Sequence, residues 1–269
     1  MGQAKNRQAL RHQFFARNPR CIFCGGHETA TTEDHQPPRS LFRERHWPEG
    51  YVFPACNDCN RATKDDENIL GAVLRMTLAE HDEIDQREFR SHLQAVRNNY
   101  PGVLESMDMS ATEKRSAVRK FGLRLADGQT FSNLPMVKLA DAVKGSIDRV
   151  FFKLGCALHY RYVGKLIPPE GVVISEFRTN VAQVVQPVPE SMLRLTPQIA
   201  TPTRNKRLLN DQFTYRYNFS VEIEAAVFNC VIRDSFHITL LTLGKPEIAV
   251  DRKDNSREFL VDGFLKRTG

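Results

Sequence analysis

Two cysteine pairs, C21-I-F-C24 and C56-N-D-C59, constrain this chain more than any other feature, because two vicinal pairs can close on one metal ion. Each C-x-x-C supplies two sulfurs from a tight turn, and a metal that draws the pairs together replaces apolar core that a short segment cannot build. Cys21, Cys24, Cys56 and Cys59 are therefore the expected ligands of a structural Zn2+. A disulfide framework is not expected, since 6 cysteines in 269 residues fall far below the density of small secreted scaffolds. Cys156, in V-F-F-K-L-G-C-A-L-H-Y, and Cys230, in A-A-V-F-N-C-V-I, have no partner at ligand spacing and read as core residues. Residues 25–55 separate the pairs, more than the roughly 15–20 residues of a simple zinc ribbon, so the pairs bracket something larger.

The bracketed segment has its own punctuation. Residues 30–35, A-T-T-E-D-H, are rich in β-branched side chains and predict a strand that P37-P38 stops. W47-P-E-G50 predicts a turn, and Y51-V-F-P54 a second short strand running into Cys56. From Asp58 the chain predicts a helix with Ile69, Leu70, Val73 and Leu74 on its apolar face. The order is strand, strand, helix. Ahead of it, residues 2–17 predict a short basic helix ended by Pro19.

Beyond the bracketed segment the pattern turns helical and then extended. Helices are expected over 66–80, 83–99 and 110–121, the last opened by Ser110 with Glu113 as a capping box. A longer one is expected over 136–162, where Val137, Ala140, Val143, Ile147, Val150, Phe151, Leu154 and Leu158 recur at helical spacing. Residues 213–223 alternate apolar and polar, 225–232 and 236–243 flank an R-D-S turn, and 258–262 closes an antiparallel sheet. Residues 187–203, with four prolines, read as a connection. The expected fold class is α+β: a basic N-terminal helix (1–20), a zinc-stapled module (21–75), and a helical then mixed α+β region (76–269).

Within the module, T31-T-E-D-H-Q-P-P-R-S40 sets an acid directly against a histidine. Hydrolysis of a phosphodiester needs a base for water, a divalent cation for the developing charge, and cationic groups for the backbone. His35 is a histidine suited to the first task at neutral pH, while Asp34 and Asn60 offer the hard oxygens that Mg2+ prefers. Asn60 follows the last cysteine, so a zinc ion pinning that turn to the hairpin would bring it beside Asp34. Arg61 and Lys64 then reach phosphate, as does Arg39. The formal net charge of +6, and Lys5, Arg7, Arg11, Arg17 and Arg20 among the first residues with no acid between them, favour a polyanionic partner.

The combination of C21-x-x-C24, E33-D-H35 with P37-P-R-S40, and V52-F-P-A-C56-x-x-C59-N60-R-A-T-K64 resembles the HNH, or ββα-metal, nuclease family in its zinc-bound form. The resemblance covers roughly residues 18 to 68. It implies His35 as general base, Asp34 and Asn60 as ligands of one Mg2+ or Mn2+, and the four cysteines on structural zinc. In many members an asparagine opens the second strand and orients the histidine; here Tyr51 or Gly50 stands there, so a backbone carbonyl is left to orient His35. Neighbours on a regular strand face opposite sides, so Asp34 and His35 cooperate only where the strand bends or ends, and Glu33 should point away from Asp34. Asn57 reads as a turn residue, His27 and His46 as loop residues, and His159 and His237 as core or surface residues.

The function expected from these residues is a metal-dependent HNH endonuclease hydrolysing DNA. Two alternatives remain open: a catalytically silent zinc module that binds nucleic acid or protein, and a nuclease effector of a phage-defence or mobile-element system, gated by its C-terminal region. That region also leaves room for a protein partner or a homo-oligomer. No run of 18 apolar residues occurs, and the N-terminal segment lacks a signal-like apolar stretch, so no membrane association and a cytoplasmic location are expected.

Overall fold

The computed structural model describes residues 2–76, 82–180, 187–245, 257–262 and 264–265, with the side chains of residues 2–5 and 257 outside that set. The chain folds as a mixed α+β structure with helices and antiparallel sheets. A basic helix, α1 (Gly2–Arg17), leads into the first cysteine pair. Strands β1 (Thr32–His35) and β2 (Val52–Ala55) pair antiparallel, Thr32 opposite Ala55 and His35 opposite Val52. Cys56 then caps helix α2 (Asn57–Arg61), its sulfur accepting from the Cys59 amide.

The single helix expected from Asp58 is two helices, α2 and then α3 (Lys64–Met76). In a continuous helix the Cys59 carbonyl would accept from the residue-63 amide; here it accepts from the Lys153 ammonium at 3.1 Å, which also donates to Thr63 Oγ1 at 3.0 Å. Helix α3 packs against α4 (Glu83–Asn99) and α7 (Asp141–Val163) through Leu70, Val73 and Leu74. Two shorter helices, α5 (Val103–Ser106) and α6 (Ala111–Phe121), lie between them in sequence, and α6 carries the Ser110/Glu113 capping box. The last residues of the 66–80 expectation lie outside the described set.

Helix α7 begins at Asp141 rather than at 136. The segment before it is held out of the helix, with the Lys138 amide donating to the Met107 carbonyl at 2.9 Å. A helix apolar on all sides must be covered on all sides, and α7 buries fifteen of its residues between α3 and a six-stranded antiparallel sheet. The sheet is formed by β3 (Val172–Thr179), β4 (Gln198–Ala200), β7 (Phe213–Ser220), β8 (Ala225–Ile232), β9 (Phe236–Leu243) and β10 (Arg257–Leu260), in the order β10-β3-β9-β8-β7-β4. Strand β3 was not expected. The stretch read as a connection holds a short helix, α8 (Glu190–Leu195), as well as β4. A small separate hairpin, β5 (Thr203–Arg204) and β6 (Arg207–Leu208), turns through Asn205 and Lys206, both at positive φ as a two-residue primed turn requires.

One continuous set of buried apolar side chains runs from Cys21 to Leu265 and includes the cysteines, α3, α7 and the inner face of the sheet. Among the described residues no helix is long and apolar enough to cross a membrane. Phe151 sits at the centre of this core, fully buried and edge-on to Phe177 and Phe236 at 5.8 and 5.9 Å. Phe151→Ala is expected to cost about 3–5 kcal/mol of stability, read as a shift of the urea denaturation midpoint.

Candidate functional site

The four paired cysteines converge as the sequence requires. Cys21, Cys24, Cys56 and Cys59 are all buried, and their sulfurs lie within 4.8 Å of one another, so the group could hold a metal ion. Four thiols so close compete for protons, and hydrogen bonds from Cys21 and Cys59 drive the Cys24 thiol down to about 2, towards the thiolate that a metal needs. An all-sulfur tetrad of this kind is compatible with structural zinc. Gly25 and Gly26 follow the first pair at positive φ, and a Cβ on Gly25 would stand 2.6 Å from the Pro169 nitrogen, so the knuckle lies close against the chain after α7. Cys156 and Cys230 are buried and do not belong to the group of four, and burial raises both thiols.

Beside the tetrad a cleft of about 770 Å³ is lined by Asp34, His35 and Asn60, together with Glu33, Arg39, Arg61, Lys64 and Glu67. The hairpin puts Asp34 on its buried side and ends at His35, so both side chains reach one cleft although they are neighbours on a strand. Glu33, expected to face away from Asp34, is exposed but reaches the rim of the same cleft. Asn60 stands in α2, its amide nitrogen donating to the Glu33 carbonyl at 3.4 Å, which leaves its amide oxygen for other partners. Arg61 and Lys64 are exposed at the cleft wall. Arg7 and Arg11 are exposed on α1, outside the lining residues, with Arg11 donating to the Thr31 carbonyl at 3.1 Å. The Lys5 side chain lies outside the described residues.

The floor of the cleft is charged in a way the sequence reading missed. Lys153, wholly buried on α7, forms an ion pair with Oδ2 of Asp34, donates to Cys59 and Thr63, and lies 4.9 Å from the Phe23 ring centre. Burial opposes its charge, but Asp34, Glu67 and the hydrogen bond to Asp34 outweigh burial and hold its pKa above the ordinary value. Half-buried Glu67 accepts from Thr63 at 3.1 Å, and burial with Asp34 nearby pushes its carboxyl up to about 7, against the pull of Lys153. The available signal was a lysine inside the apolar run V150-F-F-K-L-G-C-A-L158, where a charge survives only if it is paired.

His35 is held differently from the expectation. The Tyr51 carbonyl accepts from the Gln36 amide, and the Tyr51 hydroxyl meets Tyr215 at 2.5 Å, so Tyr51 contributes its side chain to the core. The imidazole is instead edge-on to Trp47 at 5.0 Å, and its Nε2 accepts from Arg39 at 2.5 Å. Burial first, then the Arg39, Arg204 and Arg45 guanidiniums, lower its pKa to about 4, so the ring is neutral at neutral pH. His159 and His237 are buried in the core, His46 is exposed, and His27 lies 3.5 Å from Asp262.

Two outcomes follow from this geometry. Purified protein is expected to carry zinc by elemental analysis, and Cys59→Ser is expected to lose it together with cooperative unfolding. Breaking the buried pair by Asp34→Ala should cost about 3–5 kcal/mol, whereas Asp34→Ala with Lys153→Met should recover part of that loss, a coupling that a denaturation double-mutant cycle measures. No family model matches this chain, and neither a curated protein nor a solved structure matches it.

Proposed function

We propose that this protein is a metal-dependent endonuclease of the HNH type that hydrolyses phosphodiester bonds in DNA. The observation that carries the reading is the meeting of Asp34, His35 and Asn60 in one cleft with Arg39, Arg61 and Lys64, beside four clustered cysteines. The donor set fits a hard divalent cation: Lys153 pairs with Oδ2 of Asp34, a carboxylate carries a second donor oxygen, and Asn60 and Glu67 line the same cleft. Asp34 and Asn60 would hold Mg2+ or Mn2+, which when bound supplies positive charge to the departing oxygen.

The chain's own residues do the rest. His35 is neutral and takes the proton from the attacking water. Arg39 donates to the His35 lone pair, so a substrate phosphate that draws its guanidinium away frees the base as it binds. Arg61 and Lys64 hold the backbone on the opposite wall.

A second reading is favoured by two specific contacts. Lys153 already neutralises Asp34 and Arg39 already occupies His35, which suits a zinc-stapled module that binds nucleic acid without cutting it. Plasmid cleavage separates the two. With Mg2+ or Mn2+ the wild type should nick and linearise supercoiled DNA, and His35→Ala, folded and zinc-loaded, should do so about 10²–10⁴-fold more slowly. Equal rates for the two proteins would sink the mechanism, and no cleavage under any divalent ion would leave the binding module.

A further inference from the structure

The β5–β6 hairpin comes from the C-terminal region, yet it docks on the bracketed segment beside His35. The Glu49 amide donates to the Thr203 carbonyl at 2.9 Å, and the Asn205 amide donates to Glu49 Oε1 at 3.0 Å. This fixes Arg204 with its guanidinium carbon 4.3 Å from the Trp47 ring centre, while Arg39 stacks on the same indole at 3.7 Å. Arg45 completes the group from the cleft lining, with an exposed side chain.

Guanidinium groups repel one another, and a protein normally offsets such a cluster with carboxylates. Among the described residues none of Arg39, Arg45 and Arg204 has a carboxylate within ion-pair distance, and Glu33, which lines the same cleft, acts on Arg39 only from beyond it. The Nε groups of Arg39 and Arg204 are moreover buried donors without a hydrogen-bond partner, each of which carries a desolvation cost. An aromatic plate that orients two guanidiniums, and free donors that need an acceptor, are the chemistry of an oxyanion site; Arg presents such donors in a planar fork that matches phosphate. Asn205, Lys206 and Arg207 continue the exposed polar and positive surface along the hairpin.

We infer that Arg39 and Arg204, stacked on Trp47, form with Arg45 of the same cleft a phosphate-binding subsite that holds the nucleic-acid backbone next to the bond facing His35, with the β5–β6 hairpin as its second arm. This rests on the nucleic-acid reading above but not on cleavage. It assigns to the C-terminal region a direct part in gripping the substrate.

The test is binding of a fluorescent DNA duplex by the full chain without added Mg2+, Mn2+ or chelator, followed over a range of salt. Arg204→Ala and, separately, Arg45→Gln are expected to weaken binding and to lower the slope of log affinity against log salt by about one for each lost phosphate contact. Arg204→Lys, which keeps the charge and loses the planar fork, should fall between Arg204→Ala and the wild type. Arg45 is exposed, so its variant tests the subsite without disturbing the core. Wild-type affinity and slope in both Arg204→Ala and Arg45→Gln would overturn the inference, as would a wild type that binds no duplex at low salt. Inorganic phosphate binding as tightly as the duplex would also overturn it, by showing a free-anion site. Loss of cleavage in every metal with the Arg204 decrement intact removes the nuclease reading alone; His35-dependent cleavage with no Arg204 or Arg45 decrement removes the subsite alone.

Discussion

The buried pair of Lys153 and Asp34 is the contact on which the rest of the site depends. An ammonium without solvent is tolerated only where anions and carbonyls surround it, and Lys153 has Asp34, the Cys59 carbonyl and the Thr63 hydroxyl. Each of those groups belongs to a different part of the chain before α4: the first strand, the second cysteine pair, and the break between α2 and α3. A single side chain thus registers the hairpin, the cysteine knuckle and the following helix against α7. In return α7 is itself held by the sheet, through Phe151 and its aromatic neighbours.

The charges around the cleft divide into a paired floor and an unpaired rim. On the floor, Asp34 and Glu67 share Lys153. On the rim, Arg39 and Arg204 stack on one indole, and with Arg45 they act on one neutral imidazole. On the proposed nuclease reading, a floor already near neutrality would bind a cation weakly until an anion arrived above it, so cation and phosphate would bind cooperatively, each reducing the electrostatic cost of the other. That logic is local and needs no movement of the fold.

Much of this was legible in the residues themselves. The C-x-x-C pairs, the strand ending at His35 and a helix start within a residue of the expected Asp58 come from short-range chemistry: sulfur spacing, prolines and periodicity. The bounds of α4, the Ser110/Glu113 box and strands β8 and β9 follow from periodicity and turn residues in the same way. What escaped were features set by distant partners. Residues 136–140 carry helical spacing but lose the helix to a hydrogen bond with Met107. Strand β3 pairs along its whole length with β9, a partner far along the chain, and no local pattern announces that pairing. Residues 62–63 break a helix because Lys153 takes the Cys59 carbonyl. Lys153, Trp47 and Arg204 share one trait: their roles lie in long-range contacts; Trp47 and Arg204 look unremarkable within their own segments, and Lys153, conspicuous in its apolar run, gives no sign there of which acid pairs it.

The placement of Lys153 also sets an order in time. During synthesis the cysteine pairs, the hairpin and α3 leave the ribosome well before α7 does, so a nascent chain can bring its four cysteines together while Asp34 still lacks its counter-ion. Until residue 153 has emerged and α7 has found the sheet beneath it, the carboxylate stays hydrated and α2 and α3 are free to run on as one helix. The chemistry-bearing part of the chain is made first and finished last.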